Sequence, residues 1–170
     1  MILAFDTYYF EGRAKTVCLA FEDWTADDST EMYSEILDGV EEYTPGEFYK
    51  RELPCILSLL KKVRPSRIEA IVVDGFVFVD DHLKPGLGGH LYQALGGAIP
   101  VIGVAKTNFA TVEKNKRPLL RGHSERPLFI TAIGIDVDEA MECIRNMRGN
   151  YRVPTILKKL DQLTREQENA

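Results

Sequence analysis

An α/β fold, a sheet with helices packed on its faces, is predicted by three features of the sequence. IEAIVVDG (68–75) and IPVIGVAK (99–106) are short, continuous β-branched runs, the pattern of strands buried on both faces. Phe48, Leu53, Ile56, Leu57, Leu60 and Val63 recur at three- and four-residue intervals, which describes an amphipathic helix stopped before Pro65. A chain of 170 residues, 45% of them hydrophobic, is long enough to bury one core, so residues 1–170 are read as a single domain.

The remaining elements follow in order. MILAFDTYYF and KTVCLAFEDW are β-rich runs joined by a turn at Gly12, a predicted hairpin. GLGGHLYQALG (86–96) reads as a glycine-opened helix. RPLLRG and RPLFITAIGI are two further strand candidates whose prolines favour edges or strand starts. VDEAMECIRNMRGN and TILKKLDQLTREQ carry helical periodicity, and the last few residues are expected to fray. No internal repeat, low-complexity tract or linker interrupts this order.

Composition narrows the function classes. No apolar run is long enough to span a bilayer, and Asp6 falls where a signal peptide would need its apolar centre, so a cytosolic protein without membrane contact is expected. Cys18, Cys55 and Cys143 lack the paired spacing of a zinc site or a disulfide framework and read as buried thiols. The net charge of −5 is unevenly spread: residues 22–42 hold nine acids and no Lys or Arg, leaving +4 on the remainder. Basic clusters at Lys61, Lys62, Arg64, Arg67 and at Lys114, Lys116, Arg117, Arg121, Arg126 keep a nucleic-acid partner open without demanding one.

Three acids stand out by position. Asp6 follows Ile2–Phe5, Glu52 lies early in the amphipathic helix, and Asp74 ends the Ile71–Val73 run. A carboxylate at the end of a buried segment costs free energy unless it is paired, bound to metal or open to water. Each alone is equally explained as a cap on a backbone N–H. Together they form an oxygen-rich set suited to Mg²⁺ or Mn²⁺, since carboxylates gathered by a fold repel one another without cations between them. Lys106, ending a second strand, adds a positive charge that a phosphate could meet. No Ser or Cys has a motif-linked base, and GLGGH is neither a Walker loop nor a dinucleotide fingerprint.

YTPGEFYKRE (43–52), IVVDG (71–75) and VIGVAKT (101–107), in that order after a strand carrying Asp6, resemble the signatures of endonuclease V: Y-x-P-G-x-x-x-x-R-E, then V-D-G, then G-V-A-K. The resemblance implies a ribonuclease H-like fold and divalent-metal-dependent hydrolysis, by a monomer, of a phosphodiester 3′ of inosine in DNA or RNA. It implies Asp6, Glu52 and Asp74 as metal-binding carboxylates and Lys106 as the basic, positively charged residue near the scissile phosphate. Tyr43 with Pro45 would be the wedge filling the gap left by an extruded base, an aromatic face replacing lost stacking on a stiff turn. Gly46 and Gly75 would let backbone amides approach that base.

The chain departs from the family pattern at two places. After D-G the family continues G-x-x-H-P-R-x-x-G-x-A-S-H, where this chain reads FVFVDDHLKPGLGGH. His90 matches the final histidine and is carried over as a substrate-binding residue. Val77 stands near the second glycine, Asp81 or the adjacent His82 replaces the inner histidine, and Lys84 is the candidate substitute for the lost H-P-R contact. A later G-H is also absent from ITAIGIDVDEA, so Asp136 or Asp138 is either a replacement fourth carboxylate or a helix cap. His123 reads as loop surface. Two alternatives stand beside the nuclease: a nucleic-acid-binding or protein-interaction member of the same fold without catalysis, favoured by the altered loop, and a structure-selective nuclease acting on mismatched, flapped or single strands.

Overall fold

The computed structural model describes residues 1–39, 48–65 and 67–166. Strands β1 (Ile2–Phe10) and β2 (Arg13–Phe21) form the expected hairpin. Its two turn residues, Glu11 and Gly12, have φ of 49° and 73°, the positive values that match the twist of a two-residue hairpin loop. β3 (Glu31–Asp38) adds to β2 as an edge strand inside the acidic stretch. That strand is a finding against the sequence reading, which saw only charge there. Its alternation is real, with Tyr33, Glu35 and Leu37 the less exposed set and Met32, Ser34, Ile36 and Asp38 turned outward, and the inward Glu35 is paired with Lys62 at 2.6 Å.

The chain continues through α1 (Phe48–Leu60), β4 (Ala70–Asp74), α2 (Leu87–Ala94), β5 (Val101–Ala105), β6 (Arg117–Leu119), β7 (Leu128–Ile133), α3 (Val137–Arg145) and α4 (Thr155–Arg165). The seven strands form one mixed sheet in the order β3-β2-β1-β4-β5-β7-β6. β1, β4 and β5 run parallel at its centre, and the outer strands are antiparallel to their neighbours. β6, with Pro118, is the edge its proline foretold.

Side-chain alternation divides the core between the two faces. Leu3, Phe5, Ile71, Val73 and Val101 pack against Ile56 and Leu59 of α1 and Leu87 and Leu91 of α2. Ile2, Ala4, Val72, Ile102 and Ile130 pack against Ala140 and Ile144 of α3 and Ile156 and Leu160 of α4. Among the described residues no helix is long and apolar enough to cross a membrane. The C-terminal ends of β4 and β5 lie beside the middle of β1, which runs on to Phe10, and this is the side of an α/β sheet where sites form.

Candidate active site

Strand register brings the first two acids together. β1 and β4 are parallel with Phe5 beside Val73, so Asp6 and Asp74, one step further, are neighbours. Because Ala4 and Val72 face α4, the two-residue period turns Asp6 and Asp74 to that same face. In β5, Ile102 and Val104 share this face, and Lys106 follows on it just past the strand. A small cavity of about 30 Å³ is lined by Asp6, Asp74 and Lys106 from the sheet and by Leu157, Leu160 and Asp161 from α4.

Asp161 was not singled out by the sequence reading. The fourth-carboxylate candidates named there have other work: Asp136 caps α3, accepting from the backbone N–H of Asp138 and Glu139 at 3.1 Å each. Asp138 accepts from Arg117 Nε at 2.8 Å. The signal for Asp161 lies in TILKKLDQLTR, where it stands four residues after Leu157 and three before Thr164, on the stripe that faces the sheet. An acid on the apolar side of a helix is the anomaly to look for.

Burial and mutual repulsion set the electrostatics. Asp6, 6% exposed, is pushed up to about 7 by burial and then by the Asp74 and Asp161 charges, against a 2.9 Å hydrogen bond from Thr7 N–H and the Lys106 charge. Asp74 is also held above the ordinary carboxylate value, by its packed surroundings first, although its side chain touches solvent; Lys106 works against that shift and Asp161 with it. Glu52 is 2% exposed and held well above the usual range by burial, with Asp6 and Asp74 adding repulsion. Arg51 and the Thr7 hydroxyl oppose it only in part. Arg51 is itself engaged over the Tyr9 ring, 3.3 Å from its centroid.

Glu52 enters from the other face of the sheet, since α1 packs on the side of Leu3 and Phe5. Among the described residues no three Asp, Glu, His or Cys side chains form a ready-closed metal-binding group. The donor chemistry still fits a hard divalent cation. The donors are all oxygen, their charges raise one another's pKa, and Lys106 is the main cation set against Asp74.

Other expected residues are placed as follows. Gly75 has φ of +132°, a value L side chains avoid, and its N–H bonds to Val104 O at 3.1 Å. His90, on α2, stacks on Tyr49 of α1 with ring centroids 3.7 Å apart, and burial holds its pKa down. It lines neither of the cavities that Lys106 borders. Asp81 accepts from the backbone N–H of Glu113, Lys114 and Asn115 and so staples two loops. His82 and Lys84 are exposed. The proposed wedge, Tyr43 with Pro45, and Gly46 lie outside the described residues.

The Endonuclease V family model matches residues 1–129. No curated protein sequence matches the chain significantly. Among solved structures, endonuclease V from Streptomyces avermitilis is similar with a TM-score of 0.73 at 24% identity, covering 96% of this chain and 79% of that one. Human ENDOV gives 0.72 at 21% identity, covering 96% and 82%. Ciona intestinalis endonuclease V, in complex with a 24mer DNA containing an inosine followed by a ribo-adenosine, gives 0.73 at 18%, covering 96% and 83%. At these identities the structural likeness establishes the fold, which is ribonuclease H-like as the resemblance implied.

Proposed function

Because the chain belongs to the endonuclease V family, we propose that it is a divalent-metal-dependent endonuclease that hydrolyses a phosphodiester 3′ of a deaminated base, inosine, in DNA or RNA. One observation carries the reading beyond membership: Asp6 in the middle of β1, Asp74 at the end of β4 and Lys106 just past β5 stand on one face of three adjacent parallel strands, with Asp161 across from them. Mg²⁺, or Mn²⁺ in its place, would be held by Asp6, Glu52 and Asp74, with Asp161 as the further carboxylate. When bound it would supply positive charge against the phosphate and lower the pKa of an attacking water.

The chain's own residues do the rest. Lys106 Nζ, on the same edge, neutralises phosphate charge as it develops and orients the group toward the carboxylates. The apolar wall of Leu157, Leu160 and Val104 lines the cavity beside the buried Asp6 and lowers the local dielectric there, which strengthens the charge interactions of that carboxylate. Gly75, free of a side chain in a conformation only glycine tolerates, leaves the backbone after Asp74 open to close approach by a base. Tyr43 and Pro45 fill the gap that an extruded base leaves in the strand.

The test is a nicking assay on matched DNA and RNA oligonucleotides with and without inosine, in Mg²⁺. Cleavage of the inosine strand by wild type, abolished by Asp74→Ala and by Glu52→Gln, is the expected result. Strand binding with no cleavage in either Mg²⁺ or Mn²⁺ would overturn it, and equal cutting of inosine-free mismatched or flapped strands would replace it with a structure-selective nuclease.

A further inference from the structure

We propose that the groove beside the catalytic edge, bordered by Lys106, Tyr151, Arg152 and Lys158, holds an unpaired nucleotide of the cleaved strand. Its base would lie on the Tyr151 ring and its phosphate between Arg152 and Lys158. The proposal rests on the nuclease reading of Lys106 and Asp161, which line this groove as well as the small catalytic cavity. The groove has a volume of about 760 Å³, ample for a nucleotide. It leads directly away from the reacting edge, so a strand whose phosphate meets Lys106 must continue somewhere near it.

The walls suit that occupant. Lys106, Arg152 and Lys158 face a single acid, Asp161. Tyr151 is 71% exposed, so its ring is open to a stacking base. Lys158 Nζ stands 5.7 Å from its ring centroid, which places a cation beside the stacking face where a nucleotide phosphate would lie. Arg152 donates through Nη2 to the Lys106 carbonyl and, at 2.8 Å, to Pro127 O.

The exposed ring sits on a pinned backbone. Arg121, itself 5% exposed, donates through Nη1 to Tyr151 O and through Nη2 to Met147 O, both at 2.6 Å. On the other side Gly122 lies so close that an added Cβ would stand 2.1 Å from Asn150 O. A ring presented by a fixed loop loses little freedom on stacking. Tyr151, Arg152 and Lys158 lie beyond position 129, where the family match ends.

Fluorescence anisotropy with a labelled, inosine-free single-stranded oligonucleotide, in chelator so that nothing is cut, tests the proposal. Tyr151→Ala is expected to weaken binding by about 5- to 100-fold and Tyr151→Phe to retain it, as loss of one stacked base requires. Lys158→Ala is expected to lower the slope of log affinity against log salt by about 0.7, one single-strand phosphate contact. Unchanged binding by Tyr151→Ala, with melting temperatures equal, would overturn the groove while leaving inosine cleavage standing. Loss of binding in Tyr151→Phe would overturn the stacking role in favour of the hydroxyl. Tyr151-dependent binding by a protein that never cuts inosine strands would uphold the groove and sink the nuclease reading.

Discussion

Replacing Asp6 with asparagine removes a buried charge while keeping the side chain's shape, and its effect on stability is calculable. In the folded chain Asp6 titrates at about 7 rather than its ordinary 3.8, because it is buried and faces Asp74. Between those values the folded state holds a proton that the unfolded state has released, so stability falls as pH rises through that window and the loss is complete above about pH 7. From about pH 5 to about pH 8 this one group removes roughly 2–3 kcal/mol. In a domain of this size that is a melting-temperature drop of about 5–10 °C. Glu52 and Asp74, also held high, titrate in the same direction.

The assay is thermal melting in chelator across that pH range, wild type against Asp6→Asn. Asparagine stays neutral, so the variant is expected to melt near the wild-type temperature at about pH 5 and well above it at about pH 8. Added Mg²⁺ at the higher pH is expected to raise the wild type and to leave the variant nearly unmoved, since a ligand stabilises only the state that binds it. Parallel melting curves for the two proteins at every pH would refute the claim that Asp6 carries a buried, repelled charge.

Three shorter predictions follow from the same geometry. Gly88→Ala would place a Cβ 2.7 Å from Val77 Cγ2 and 3.1 Å from its Cα, and is expected to cost about 1–3 kcal/mol in urea unfolding, with an unshifted midpoint as the contrary result. Asp161→Asn removes a charge that raises Asp6, so nicking is expected to fall at least about tenfold while the Asp6 carboxyl, followed by NMR, titrates lower; wild-type activity would remove Asp161 from the site. Tyr43→Ala is expected to reduce the preference for inosine over ordinary strands with metal-dependent cutting intact, and equal preference in the variant would end the wedge assignment.

Much of this was legible because two simple periods govern it. Continuous β-branched runs announced β4 and β5, the 3–4 spacing announced α1, and Asp74 and Lys106 at the ends of those two strands are set by the register beside Asp6 in the middle of β1. What sequence could not give was proximity across elements. Asp161 reaches the site only because α4 crosses the face below β1 and β4, a tertiary fact, whereas Asp136 sits in the more familiar N-cap pattern and uses its oxygens there. β3 escaped because Glu35 stands among its inward residues while Met32 and Ile36 face outward, so no apolar–polar alternation shows in the sequence. The side of the sheet from which Glu52 arrives was equally out of reach, since a helical pattern does not say which face it covers.

The loop after Asp74 shows why a broken motif need not mean a broken structure. Near the place of the family's second glycine, Val77 is fully buried, and the space it needs exists because Gly88 and Gly89 of α2 carry no side chains: a Cβ on Gly89 would stand 2.7 Å from Val77 O. Val77 N–H bonds to the Thr131 hydroxyl at 2.9 Å and its carbonyl accepts from Gly86 and Gly89, so its backbone polar groups are satisfied. Asp81, in the stretch that replaces the inner histidine, is occupied by three backbone N–H groups of the 113–115 loop, and Thr111 Oγ1 donates to Val79 O at 2.5 Å. Each departure is therefore matched by a packing or hydrogen-bonding partner elsewhere in the chain, the consistency expected of a sequence that specifies this loop rather than tolerates its decay. A catalytically abandoned relative would have no reason to keep Asp6, Asp74 and Lys106 in register at the cost that burial imposes on Asp6. The satisfied loop and the retained acids thus point the same way, toward a working nuclease.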